Sequence, residues 1–135
     1  MQYTLKIQRA YWPEVTDTPH FSIELQYGNC HQVFDDIYFD KIDDIIEPLE
    51  NLLIRRKGRV ELSGGFRFGA RVEATSSGAL RLGFSTESSG IFPGRLRLDG
   101  EFLIDGEHAE EVIASLLDLF RQGDDFFLET TRPTS

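Results

Sequence analysis

Cys30 and His31 are adjacent, and a thiol beside an imidazole is the first place to look for a nucleophile and its base. His31 opens the run HQVFDDIYF, whose composition predicts a strand, with Cys30 just before it, and strand neighbours point to opposite faces. Sequence neighbours of that kind cannot form a dyad. His20 is a second candidate base if a sheet brings it near Cys30; the alternative is two unrelated surface residues. His20, His31 and His108 show no metal spacing, because neither H-x-x-x-H nor C-x-x-C occurs. Carboxylates come in pairs at Asp35-Asp36, Asp43-Asp44, Glu110-Glu111 and Asp124-Asp125. Acid–base chemistry needs such groups held in a pocket with separated pKa values, whereas these fall mostly on predicted solvent faces. The D-x-D-x-D-G calcium loop is absent, and the two Asp-Gly steps of LDGEFLIDGE are separated by an apolar strand, so they predict a turn and a cap. The glycines of ELSGGFRFGA are not followed by Lys-Ser/Thr, so they make no phosphate loop. These patterns predict neither catalysis nor a cofactor or metal.

Two charged constellations remain. Asp40, Asp43, Asp44, Glu47 and Glu50 are spaced i, i+3, i+4, i+7, i+10, which places five carboxylates on one helical face. Like charges at i, i+4 destabilise a helix by ~0.2–0.5 kcal/mol each, and Lys41 is the one local counter-charge. Either the preference of acids for a helix start or the binding of a basic partner accounts for this face. With Asp35 and Asp36 just ahead of them, Asp40, Asp43, Asp44 and Glu47 form the candidate partner-binding set. The second constellation is basic. Between Arg55 and Leu98 there are nine basic residues against three acids, whereas Asp35–Glu50 holds seven acids and one lysine. Arg67, Arg71 and Arg81 alternate onto the outer face of predicted strands, with Gly69 and Gly83 among them to allow close approach. They make a candidate site for an anionic ligand or peptide, or simply the solvated side of an antiparallel sheet.

The elements that must position these groups follow from periodicity. Tyr3, Leu5 and Ile7 alternate with polar residues, as do Phe21, Ile23, Leu25 and Tyr27, and both patterns predict strands. HQVFDDIYF continues as a third strand, with a bulge or turn expected at Asp35-Asp36 because aspartates are poor strand formers. From Asp40 the period becomes helical, with Ile42, Ile45, Ile46, Leu49, Leu52 and Leu53 in one stripe. Pro48 interrupts it, at an interior cost of ~3 kcal/mol, so a kink or two short helices are expected. Gly58 is the expected stop. Three strands then follow, and in the last hairpin charge decides the register. Pairing Ala74 with Leu80 sets Glu73 against Arg81, whereas pairing Ala74 with Gly78 sets Arg71 against Arg81. The first is expected. GRLRLDGEFLI predicts a further strand and EHAEEVIASLLDLFRQ a helix, capped by Asp105 and stopped by Gly123. One α+β domain is expected over residues 1–123, a curved antiparallel sheet with both helices on its apolar face. Residues 124–135 form a partly frayed tail in which Phe126, Phe127 and Leu128 dock as a short strand or plug, or do not.

A chain of 135 residues with 40% apolar content can bury a core of its own. Its net charge of −9 disfavours nucleic acid and anionic membranes as partners and favours solubility or a basic protein. One cysteine, no apolar leader and no long apolar run point to the cytoplasm. The order FSIELQYGN, DKIDDIIEPLENLL, RVELSG, FRFGARVEATSSGALRLGF, RLRLDGEFLIDGEHAEEVIASLLDLF resembles the plan of the WapI-like bacterial immunity family over most of residues 21–122. The resemblance implies a cytoplasmic, non-enzymatic antidote, a monomer or weak homodimer, that binds and blocks a toxin domain, often a basic nuclease. The alternative expectation is a scaffold or regulatory module that uses the arginine-bearing face.

Overall fold

Strand alternation and helical periodicity yield ten elements in the computed structural model, which describes residues 2–10, 20–39, 42–62, 68–89 and 95–131. In chain order they are β1 (Gln2–Ala10), β2 (His20–Tyr27), β3 (Cys30–Tyr38), α1 (Ile42–Arg55), β4 (Arg59–Leu62), β5 (Phe68–Ala74), β6 (Leu80–Ser89), β7 (Arg95–Ile104), α2 (Gly106–Gln122) and β8 (Phe126–Thr131). The class is α+β. The strands divide between two antiparallel four-stranded sheets, ordered β3-β2-β1-β8 and β4-β5-β6-β7, where a single curved sheet was expected. The connections explain the division. Strand β3 is an edge, and α1 carries the chain from it to a new four-stranded meander. Helix α2 then carries it back, and β8 closes on the free side of β1. Both helices are therefore crossings between sheets.

The first sheet turns Leu5, Ile7, Phe21, Ile23, Leu25, Phe34, Ile37, Phe126 and Leu128 inward, all buried. The second contributes Val60, Leu62, Phe68, Ala70, Val72, Leu80, Leu82, Phe84, Phe102 and Ile104 to the same core. Phe34 of β3 and Phe68 of β5 meet with ring centroids 6.1 Å apart, which joins the two sheets directly. Thr86 of β6, the buried polar residue, donates to the Gln32 side-chain oxygen of β3 at 3.3 Å. Phe21, Phe39 and Phe120 form an aromatic cluster at 5.3–5.8 Å that ties α2 to the first sheet.

Helix α1 runs unbroken for 14 residues through Pro48, so the two-piece alternative does not occur. Magnitudes account for this. Ile45, Leu49 and Leu52 are buried on one face, and each is worth ~1.5–3 kcal/mol, which together exceeds the proline's ~3 kcal/mol. Ile42, Ile46 and Leu53 pack half-buried against the same core. The left-handed stop comes two residues earlier than expected. Arg56, not Gly58, is the first left-handed residue, at φ 56°, and Gly58 follows at φ 97°. In α2 the cap is as expected. The Asp105 side chain accepts from the His108 N–H, and Gly123 at φ 78° lets the last carbonyls be met by Gly123 and Asp124 N–H groups.

Candidate protein-binding surfaces

The acidic face of α1 carries Asp43, Asp44 and Glu47, all exposed. Among the described residues none of the three has an ion-pair partner. Glu50, on the same face, differs: it is half-buried and paired with Arg121 of α2, so the last carboxylate serves the helix–helix contact. The ridge borders a shallow cleft of about 370 Å³ in which Asp44, Glu47 and Asn51 face Lys57 and Arg59. Arg59 pairs with Glu61 at 3.2 Å, so sharing the cleft does not pair it with the ridge, and Asp43 lies outside the cleft lining. Asp40 lies outside the described residues. Asp35 and Asp36 are in β3, where Phe21 pairs with Ile37 but Ile23 with Phe34, so the two aspartates stand opposite the single residue Ser22. This is the bulge expected there, and a bulge on edge strand β3 also blunts edge-to-edge pairing.

The arginine constellation has a different character from the one the sequence suggests. On the outer face of the second sheet one row reads Arg59, Glu73, Arg81, Leu103 and the next reads Glu61, Arg71, Gly83, Glu101. Signs alternate along both rows, so Arg71 and Arg81 belong to a mixed-charge lattice and do not make a basic patch. Arg67 lies outside the described residues. Glu73 opposite Arg81 is the expected pair, but Glu61 and Glu101 join the lattice only through the β4–β5 and β6–β7 registers, which single strands do not reveal.

The thiol–imidazole candidates are kept apart. His20 pairs with Tyr38 and Cys30 with Tyr27, at opposite ends of the β2–β3 ladder. At ~3.3 Å per residue that separation is roughly 20 Å. His31 is exposed and lies 2.8 Å from Glu24. His108 is also exposed, and its Nδ1 lies 2.7 Å from Asp105 Oδ1, the same oxygen that caps α2. That contact lowers the Asp105 pKa and raises that of His108. Asp105, Glu107 and His108, all exposed, bring ligand atoms within 4.8 Å of one another, and Asp105 Oδ1 is already engaged by His108 in the cap. A groove of about 500 Å³ between the end of β7, α2 and β8 exposes Leu103 and Phe127, two apolar side chains that the strand patterns do not single out as surface. No helix among the described residues is long and apolar enough to cross a membrane. No protein-family model matches the chain, and no curated protein or solved structure is similar to it.

Proposed function

We propose that this chain is a non-catalytic binding protein of the immunity type, which neutralises a basic toxin domain by seating the α1 carboxylates in its cleft. One observation carries the reading: Asp43, Asp44 and Glu47 stand exposed on one helical face without ion-pair partners among the described residues. The helix dipole favours Asp43 and Asp44 in the first turn, but Glu47 lies beyond it and repels Asp43 at i, i+4. A basic cleft built for phosphates would recover that repulsion, and opposite fields would speed encounter at low salt. The helix is suited to the task because its buried face, Ile45, Leu49 and Leu52, fixes it on the core and leaves the carboxylates on a rigid surface.

The experiment is calorimetric titration against basic nuclease-type toxin domains, with the native sequence and with Asp43→Lys/Asp44→Lys. The double reversal lowers affinity at least about a hundredfold, in line with losses of ~2–5 kcal/mol when charged interface pairs are broken, and leaves the thermal midpoint nearly unchanged. Equal affinity for the two proteins removes α1 from the interface. Failure of the native chain to bind or protect against those toxins removes the immunity reading itself.

A further inference from the structure

An open sheet edge is a template for another strand, and proteins blunt it with bulges, very short strands, proline or charge. The two sheets of this chain present four edges, β3, β8, β4 and β7. Strand β3 is bulged beside Ser22, and β4 has only four residues. Strands β7 and β8 use neither device, since each pairs with its one neighbour in unbroken register over ten and six residues. Charged residues stand at alternate positions of β7 up to Glu101, and none follows in Phe102–Ile104. Strand β8 opens with the uncharged run Phe126–Leu128 and contains neither lysine nor proline. The two unprotected runs come together at one place. Leu103 and Ile104 line the same groove of about 500 Å³ as Phe126, Phe127 and Leu128, along α2.

Exposure follows the same pattern. Leu103 is 66% and Phe127 57% exposed, each between two buried neighbours that hold its strand on the core. The groove is also acidic. Asp105, Glu111 and Glu129 are exposed along it, and His108, the basic group in its described lining, is held by Asp105 at 2.7 Å. A second copy of the chain would set these carboxylates against their own kind, on molecules that each carry a net charge of −9. A cationic segment meets them with complementary charge. We propose that the groove takes an extended segment of a basic partner protein, added to the first sheet as a fifth strand on the free edge of β8. Main-chain hydrogen bonds to β8 hold it, and its alternating side chains set its specificity. Apolar side chains on one face lie beside Phe127, and lysine or arginine on the other reach toward α2, where Glu111 stands. β8 is the pairing edge because four of its residues line the groove, against two of β7. None of the described lining comes from α1, so the site is independent of the α1 surface.

The test is titration of the isotope-labelled full chain with a short peptide of alternating lysine and valine, followed through backbone amide shifts. Two controls accompany it: a peptide of alternating glutamate and valine, and the lysine–valine peptide N-methylated at every second amide, made in both phases. The expected result is saturable shifts at Phe126–Glu129 and Glu111 with the lysine–valine peptide, at a Kd of about 1 mM or below. The glutamate–valine peptide binds at least about tenfold more weakly, and so does one N-methylated phase but not the other. Phe127→Lys, which puts a gatekeeping charge on the edge, and Glu111→Lys each weaken the lysine–valine peptide at least about tenfold. Both positions are exposed, so the thermal midpoint stays nearly unchanged. Absence of saturable shifts overturns the proposal, as do shifts that map outside the groove. Equal binding of the glutamate–valine peptide removes the basic partner, and tolerance of both N-methylated phases removes strand addition. Self-association of the chain in sedimentation, with protection of the β8 amides, overturns it in favour of a second copy.

Discussion

Arg56 donates from its guanidinium to the Gly78 carbonyl at 2.9 Å, clamping the end of α1 to the turn between β5 and β6. The same nitrogen reaches the Gly106 carbonyl at 3.3 Å, so one side chain ties both helices and a hairpin together. The residue adopts a left-handed φ of 56° to do this, a conformation that costs a side-chain-bearing residue ~1–2 kcal/mol. Hydrogen bonds from a charged donor are worth ~1.5–3 kcal/mol, so the clamp outweighs the strain. Arg56→Ala loses the bonds and keeps the strain, and is expected to cost about 2 kcal/mol in urea unfolding. Arg56→Gly loses the bonds and relieves the strain, so it is expected to be the milder change by about 1 kcal/mol. Equal losses for the two variants would show that backbone strain is not part of the balance.

Phe120 is 2% exposed and meets Phe21 and Phe39 edge-on at 5.8 and 5.6 Å. It lies near the end of α2, where a helix would fray if its last turn were not held. Phe120→Ala is expected to cost ~3–5 kcal/mol, through lost burial and the cavity left beside the Phe21 and Phe39 rings. Urea unfolding measures it, and a loss below about 1 kcal/mol would mean that the aromatic cluster does not anchor the helix end.

The Asp105–His108 contact predicts a pH window. His108 is raised above its ordinary 6.5 chiefly by the side-chain hydrogen bond to Asp105 and then by that residue's charge. Asp105 is lowered below its ordinary 3.8, first by the same hydrogen bond and then by the His108 backbone N–H. The histidine's contribution to stability is complete below pH 6.5 and fades as pH rises through its raised value. The aspartate's is present above pH 3.8 and fades as pH falls through its lowered value. The contact is therefore fully effective between those two limits. Nuclear magnetic resonance titration of His108 should give a midpoint above 6.5 in the native chain and a lower one in Asp105→Asn. The same midpoint in both proteins would remove Asp105 as the cause.

Local patterns carried most of what was legible in the sequence. Glu73 opposite Arg81 and Ala74 opposite Leu80 are the pairs that charge complementarity selects, with a five-residue turn in which Gly78 takes φ 88°. The bulge at Asp35-Asp36 and both ends of α2 were equally local, each set by a few residues whose backbone preferences have no competitor. What was not legible depends on contacts far apart in the chain. Whether Phe126 and Leu128 dock as a short strand is left open by the sequence, because the answer lies in β1, more than a hundred residues earlier, whose free edge has Leu5 and Ile7 facing the core. The division into two sheets has the same origin, since nothing in the helices says that they cross between layers. The α1 carboxylates were legible as a face, but the capture of Glu50 by Arg121 depends on how the two helices pack.

Identical substitutions on opposite faces of one sheet should have opposite effects. Gly100 faces inward across from Phe84, whose ring lies where a Gly100 Cβ would have to be, at 2.5 Å. That ring cannot simply swing away, because it is buried and packs on Phe102 at 5.9 Å. Gly100→Ala is therefore an overpacking change and is expected to cost ~1–3 kcal/mol. Gly69 faces outward with open space around it, so Gly69→Ala keeps every contact and removes some freedom from the unfolded chain. It is expected to stabilise by about 0.5 kcal/mol. Adding Phe84→Leu to Gly100→Ala should cost less than the sum of the two single changes, because the shorter side chain gives up the space that the new methyl needs. Urea unfolding of the native chain and the four variants measures all three statements. Strict additivity of Gly100→Ala and Phe84→Leu would mean that the ring does not rest on the glycine.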